Sequence, residues 1–271
     1  MLKDISLGRY YETGSVLHRA DPRIKIILYL VYLIAIFTVK TPVSVGTLFV
    51  ITVIQMILAK IPLKVMKNSV VPVLPLTAFI LILNILTVRT GNKVFEYSVI
   101  SVTDDGIRQA VLMSLRIIFL IITTSVLLTL TTTPLKVSDA LESLMKPLTL
   151  IHVPVQDFAM MMSIALRFIP TLIEETDKIM KAQVSRGADY DTGFFLKRVK
   201  GYVTVLIPLF ISSFKRAEEL AVAMDARCYS GTGRTKLNPL KIKGSDIVLF
   251  LVNLALAVLL VLSDLIWKRF F

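Results

Sequence analysis

Phe158-Ala-Met-Met-Met-Ser-Ile-Ala-Leu166 is apolar on every helical face. After Pro170 the same run carries Glu174, Glu175, Asp177, Lys178 and Lys181, then closes on Gln183-Val-Ser-Arg-Gly187. Glycine suits a helix C-terminus, so the run predicts one long helix opened by Pro154 and reaching about Arg186. A second stretch repeats this plan. It starts near Phe195 and is apolar over Val203–Ile211, with Pro208 inside it. It then carries Lys215, Arg216, Glu218 and Glu219, and ends near Arg227 in Val222-Ala-Met-Asp-Ala-Arg-Cys228. From each proline to its arginine is about 24 and 29 Å of helix at the standard rise. Each helix is expected to begin against a bilayer and end well into the cytoplasm.

The rest of the chain supplies the bilayer context. Mean hydropathy is +0.75. Hydrophobic residues make up 55% of the 271, and charged residues 18%, below the ~25% of soluble domains. The reading is a helical, polytopic membrane protein. Five apolar segments are expected to span, over Ile24–Val39, Val43–Ala59, Val70–Val88, Ile107–Leu130 and Asp246–Trp267, with Pro72 and Pro75 bending the third. A sixth span inside Phe158–Pro170 or Tyr202–Phe214 is the alternative, because five leave Lys268 and Arg269 outside. Lys3, Arg9, Arg19 and Arg23 precede the first span, and Lys60, Lys64 and Lys67 follow the second. The positive-inside rule puts both groups in the cytoplasm. The expected organisation is a cytoplasmic N-terminus over 1–23, four spans within 24–130, a cytoplasmic or interfacial coupling region over 131–245 and a last span in 246–271. Within that region Leu135–Leu150 reads as an amphipathic helix, with Ser138-Asp139 as its cap.

A single arginine near a helix C-terminus is accounted for by the macrodipole, worth roughly 0.3–1 kcal/mol. Here the pattern occurs twice, as Ser185-Arg186-Gly187 and Ala226-Arg227-Cys228, at the ends of two similar helices. Small flanking residues let a partner's groove approach the backbone. The guanidinium then reaches an acidic group in a planar, bidentate geometry that lysine does not match. Two such tips point to a two-fold partner. Four further residues are candidates for structural or coupling roles: Arg116 in mid-segment, with Asn84 as a candidate partner, Arg167 beside the bend, and the prolines Pro170 and Pro208. Arg167 is read either as an anchor at a lipid headgroup or as a brace between the long helices. Met160–Met162 and the apolar start of the second long helix fit ordinary core and a sliding apolar surface equally.

Several function classes drop out. The net charge of +12 shows no basic patch interleaved with aromatics, so nucleic acid is not expected as a partner. One cysteine, Cys228, forms no disulfide framework or thiolate cluster. His18 and His152 have no metal spacing, and Asp189 and Asp191 read as turn chemistry. Gly231-Thr-Gly-Arg-Thr235 fails the phosphate-loop pattern, and no G-x-S-x-G is present. No catalytic residue, metal or resident cofactor is expected. Any energy must come from a partner.

At these residues the chain resembles the transmembrane T component of energy-coupling factor (ECF) transporters. The resemblance lies in Leu166-Arg-Phe-Ile-Pro-Thr-Leu-Ile-Glu-Glu175, in Ala182-Gln-Val-Ser-Arg-Gly187 and in Ala223-Met-Asp-Ala-Arg-Cys-Tyr-Ser-Gly-Thr-Gly-Arg-Thr235. The start of the first span, Asp21-Pro-Arg-Ile-Lys25, is similar too. The family's motifs are usually Ala-Arg-Gly. Here the first has serine before the arginine and the second cysteine after it. The resemblance implies a membrane scaffold in a prokaryotic cell membrane. It implies two ABC-type ATPases that bind ATP and Mg²⁺, one at each arginine motif. It also implies a membrane-embedded S component that binds a vitamin or metal ion and is reoriented as the ATPases close. A stand-alone secondary transporter is the alternative, and would need inverted repeats and interrupted midplane helices. A membrane enzyme is the more distant one.

Overall fold

The computed structural model describes residues 10–11, 13–88, 90, 92–97, 100–187, 195–231 and 239–270. Helices dominate. In chain order they are α1 Val16–Arg19, α2 Pro22–Thr38, α3 Pro42–Ala59, α4 Leu63–Val70, α5 Leu74–Thr87, α6 Asp104–Thr124, α7 Pro134–Met145, α8 Val155–Ser185, α9 Phe195–Asp225 and α10 Gly244–Phe270. A hairpin of β1 Lys93–Tyr97 and β2 Ile100–Thr103 precedes α6. The chain forms two compact units. One holds Gly8–Ala140 and Leu240–Phe271, the other Leu141–Pro239.

Local chemistry sets the helix boundaries in the first unit. Asp21 caps α2: its carboxylate accepts from the Arg23 backbone N–H at 2.9 Å, and Pro22 takes the first helical position. Thr41 and Ser44 form a reciprocal capping box at the start of α3, with Pro42 just inside. Thr103 caps α6 by accepting from the Gly106 N–H, and its hydroxyl donates to the Val88 carbonyl. A Cβ on Gly106 would stand 2.9 Å from the Thr103 Oγ1 and 3.0 Å from the Val88 oxygen, so only glycine fits there.

Four helices are long and apolar enough to cross a membrane: Pro42–Ala59, Leu63–Thr87, Asp104–Thr129 and Gly244–Trp267. The expected first span, α2, has 17 residues, the lower end of a spanning length. Its Leu28, Tyr32 and Ile36 are fully buried, packed with Leu48, Leu127 and Leu260. Neither α8 nor α9 is a helix of spanning character among the described residues, so the sixth span finds no counterpart.

Other expectations need correction. The third span begins at Leu63, so Lys64 and Lys67 stand on a helix and not in a loop. Pro72 sits in a 3₁₀ turn, Val71–Val73, that joins α4 to α5. The turn absorbs the proline's missing N–H. The fourth span begins at Asp104 and not Ile107, because Thr103 provides the cap. Ser138 and Asp139 lie inside α7 and do not cap it. That helix starts at Pro134 and gives way at Lys146 to a 3₁₀ segment containing Pro147. The connection Ala188–Gly193, Asp189 and Asp191 in it, Arg89, Lys3, Arg9 and residues 232–235 lie outside the described residues.

Polar groups inside the first unit are paired across helices. The Tyr32 hydroxyl on α2 donates to the Asn253 carbonyl and Oδ1 on α10, at 3.1 and 3.2 Å. The Gln55 amide on α3 donates to the same Oδ1 at 3.3 Å. Lys25 Nζ, fully buried, donates to the Thr131 carbonyl at 3.0 Å and to Thr132 Oγ1 at 3.2 Å. Asp264 on α10 accepts from the Lys40 N–H at 2.9 Å and from Ser44 Oγ at 3.2 Å, and so anchors the start of α3. In hydrocarbon such bonds are the specific glue between helices, worth on average about 0.6 kcal/mol and up to about 1.7. Tyr32→Phe is expected to lower stability within that range, read as thermal unfolding in detergent micelles.

Asp21 lies just before α2. Burial alone would raise its pKa. The Arg23 side-chain and backbone hydrogen bonds, with the charges of Arg23 and Lys25, hold it below the ordinary 3.8. A depressed folded-state value means that the stabilisation is complete above the unfolded value and is lost as pH falls through the folded one. Asp21→Asn should therefore be less stable than the parent at pH 7, and the gap should shrink below about pH 4, as read by thermal unfolding across pH.

Candidate functional site

The second unit is built on α8 and α9, each 31 residues long, or about 46 Å at the standard rise. Their cross-contacts run in opposite directions. Gln183 Nε2 donates to the Thr204 carbonyl at 3.5 Å. Arg216 Nη2 donates to Glu175 Oε2 at 2.7 Å, and Ser212 Oγ donates to Glu175 Oε1. The Tyr229 hydroxyl meets Met160 Sδ at 2.9 Å. The helices are therefore antiparallel. Starting both at a bilayer and ending both away from it, as the sequence led us to expect, does not hold. Each arginine tip lies beside the start of the other helix, and the two tips stand at opposite ends of the pair. Periodicity could not give that direction, which comes from side chains dozens of residues apart.

The two tips share a backbone design. Arg186 is the residue after α8, its N–H bonded to the Gln183 carbonyl at 3.0 Å. Gly187 follows with φ 88° and donates to the Val184 carbonyl at 2.9 Å. At the end of α9 the Arg227 N–H meets the Met224 carbonyl at 3.1 Å. Cys228 follows with φ 56°, its N–H on the Asp225 carbonyl at 2.9 Å. The third motif position is thus a left-handed one at both tips. Glycine takes it freely, whereas a residue with a Cβ is disfavoured there by roughly 1–2 kcal/mol. This adds a second reason for a small residue there, beside close approach. Arg186 and Arg227 are both exposed, and neither guanidinium has a hydrogen-bond or ion-pair partner among the described residues. Ser185 is exposed with its hydroxyl on the Lys181 carbonyl, and Ala226 is exposed.

The other candidates fall apart from the tips. Arg116 is on α6 in the first unit. Its Nη2 donates to the Val39 carbonyl at the C-terminal end of α2, and Nη1 meets Met113 Sδ at 3.5 Å. It caps a helix, where a cation is favoured. Asn84 is not its partner, since its amide donates to the Ile80 carbonyl one turn back. Arg167 is exposed on α8 without a partner among the described residues, so it does not brace the two helices. Glu175, Ser212 and Arg216 do that, and sequence reasoning missed them. The signal available was the acidic pair Glu174-Glu175 on one helix against the basic pair Lys215-Arg216 on the other. Pro170 and Pro208 sit inside α8 and α9 without ending either helix. Met160 meets Tyr229, whereas Met161 and Met162 are half exposed beside Phe158. On α9 an exposed stripe runs through Val203, Leu206, Ile207, Phe210, Ile211 and Phe214, at helical spacing. No group of three metal-ligating side chains occurs among the described residues.

Four helices long and apolar enough to cross a membrane, beside a unit of two long helices each ending at an exposed arginine, define a helical polytopic membrane protein. Residues 13–237 match the model of the CbiQ family, described as cobalt transport protein. The chain is 47% identical over 249 residues to the energy-coupling factor transporter transmembrane protein EcfT of Ruminiclostridium cellulolyticum, covering 92% of each chain. It is 47% identical over 261 residues to the EcfT protein of Acidaminococcus fermentans, covering 96% of this chain and 97% of that one. To the EcfT protein of Bacillus subtilis it is 41% identical over 261 residues, covering 96% and 98%. The chain belongs to the EcfT family of energy-coupling factor transporter transmembrane proteins.

The left-handed third position yields a prediction. Cys228→Gly should raise local stability at the α9 end by about 1 kcal/mol, and Gly187→Ala should lower it at the α8 end by a similar amount. Amide hydrogen exchange at the two helix ends reads both changes.

Proposed function

We propose that this chain is the coupling scaffold of an ECF-type ABC importer. Arg186 and Arg227 dock into grooves of two partner ATPases, one tip to each. Ser185, Gly187, Ala226 and Cys228 permit the close approach. ATP and Mg²⁺ are bound by the ATPases, and the chain itself contributes no catalytic group. The N-terminus and the region over 131–245 lie in the cytoplasm or at its interface, and the helices within 24–130 and 246–271 lie in the prokaryotic cell membrane. The exposed apolar stripe on α9, with Phe158, Met161 and Met162 on α8, receives a membrane-embedded S component that carries a vitamin or other micronutrient. ATP-driven closure of the ATPases moves α8 and α9, and these reorient the S component.

The observation that most supports this reading is the pair of exposed guanidinium tips, without partners among the described residues, at opposite ends of one antiparallel pair. A desolvated arginine in such an interface is worth about 2 kcal/mol or more. Separated tips suit two partners, since one ATPase would cover only one of them.

The test is Arg186→Ala with Arg227→Ala. Each single variant should weaken co-purification with the ATPases, and the double variant should abolish both the complex and ATP-driven uptake in proteoliposomes. Normal uptake by the double variant would refute the docking role. Uptake by the purified chain alone, without ATP, would support the stand-alone transporter in its place.

A further inference from the structure

Asp21-Pro-Arg-Ile-Lys25, at the start of α2, has no part in the docking role. Yet both points at which the chain leaves and rejoins the first unit are tied to it. The chain leaves after Ala140, partway along α7, and returns at Leu240. Arg23 and Lys25 are two residues apart, or about 200° around a helix. Their side chains therefore depart from α2 in nearly opposite directions, and each reaches a different connection.

Lys25 holds the outgoing connection. Its ammonium donates to the Thr131 carbonyl at 3.0 Å and to Thr132 Oγ1 at 3.2 Å. These residues follow the π-helical turn Ser125–Thr129 that continues α6, and they precede Pro134, which opens α7. Carbonyls at a helix end lack intrahelical partners, and a cation is favoured beside them. The neighbouring Leu130 carbonyl accepts from the Tyr11 N–H at 3.0 Å. The helix that carries the chain out of the unit thus starts from a fixed point.

Arg23 holds the returning connection. The Asp21 carboxylate accepts from its Nε at 3.1 Å and from its Nη2 at 2.8 Å. This fork aims Nη2 at the Leu240 carbonyl, 3.1 Å away. Three residues on, the Lys243 N–H donates to Asp246 Oδ2 at 2.9 Å, in the first turn of α10. The chain is held from its return to the start of the last span. A planar guanidinium can serve a carboxylate and a carbonyl together, whereas an ammonium gathers acceptors around one point. The two residue types match these two tasks.

Burial argues for a role beyond stability. Lys25 is 1% exposed. A buried charge is costly, and an apolar residue of similar volume is often as stable or more so. A charge kept in such a place is by default a functional feature.

We propose that Arg23 and Lys25 anchor the two connections between the units, and that coupling requires both anchors. They hold the two ends of region 141–239 at set points, so that work done on that region is delivered and not lost as slippage of its connections. Both are positioning residues, acting through the segments they hold. The inference rests on the coupling role proposed above.

The test uses the complete transporter. Amide hydrogen exchange reads the connections, and proteoliposomes read substrate uptake and ATP hydrolysis together. K25M should leave assembly, unfolding temperature and ATP hydrolysis unchanged. It should speed exchange about tenfold or more at the bonded amides within 130–137 and not at those within 243–247, since hydrogen bonds to charged groups are worth at least that factor. R23Q should do the reverse. Each should lower uptake per ATP about fivefold or more, the low end of ordinary coupling energies. Unchanged exchange would overturn the anchors, and so would faster exchange with normal uptake per ATP. A fall in unfolding temperature and ATP hydrolysis in step with uptake would mark a merely structural role and would also overturn them.

Milder variants decide the matter if either of these fails to assemble. T132V removes one of the two acceptors of Lys25, and R23K keeps the charge without the fork. Each should loosen its own connection alone and lower uptake per ATP to a smaller extent. Normal exchange and normal coupling in both would refute the proposal. R186A/R227A is measured alongside. Normal uptake by that variant would refute the docking reading itself, whereas failure of the anchor series alone would refute only the anchors.

Discussion

Glu175 on α8 and Arg216 on α9 meet at 2.7 Å where two helices that run in opposite directions overlap. That direction governs what the helix ends can do. In a parallel pair both arginine tips would share one end and compete for one surface. In this antiparallel pair each tip flanks the start of the neighbouring helix, and the exposed apolar residues of both helices stay clear of the contact. Arg216 is 39% exposed and Glu175 20% exposed at their side chains, so the pair contributes little to global stability. Its value lies in register and direction.

The membrane-spanning unit obeys a different constraint. Without water, helices are held by packing and by hydrogen bonds between their polar groups. Tyr32, Gln55 and Asn253 join α2, α3 and α10. Lys25 ties α2 to the segment after α6, and Asp264 holds the start of α3. Arg116 follows the same rule. A charge inside an apolar helix reads as functional by default, yet here it closes the C-terminal end of α2. The same residue type has opposite fates in the two units: half-buried and capping a helix at 116, exposed and without a partner among the described residues at 186 and 227.

Much of this was legible in advance. The extents of α8 and α9, their apolar-to-charged gradient and the doubled arginine motif follow from local composition and helix-ending residues. The left-handed geometry of Gly187 was legible from its residue type, but that of Cys228 was not, because cysteine does not announce a positive φ. The β1–β2 hairpin was not expected, because Lys93 and Glu96 interrupt the short apolar runs, although Val94, Phe95 and Ile100 carry a strand signal. The expected start of α7 at Leu135 falls one residue from Pro134, which opens the helix, whereas Ser138-Asp139 resembles a cap but lies inside it.

The sequence by itself determined a helical membrane protein, the family it belongs to, two long mixed helices and the arginine that ends each. These are properties of contiguous residues, fixed by hydropathy, helical period and end chemistry within a turn or two. Only the tertiary structure decided that α8 and α9 are antiparallel, that Glu175 meets Arg216, that Arg116 serves α2 and that the two tips stand apart. Those facts depend on contacts between residues tens of positions distant in the chain. Helical periodicity shows which face of a helix is polar, but not which neighbour that face will meet.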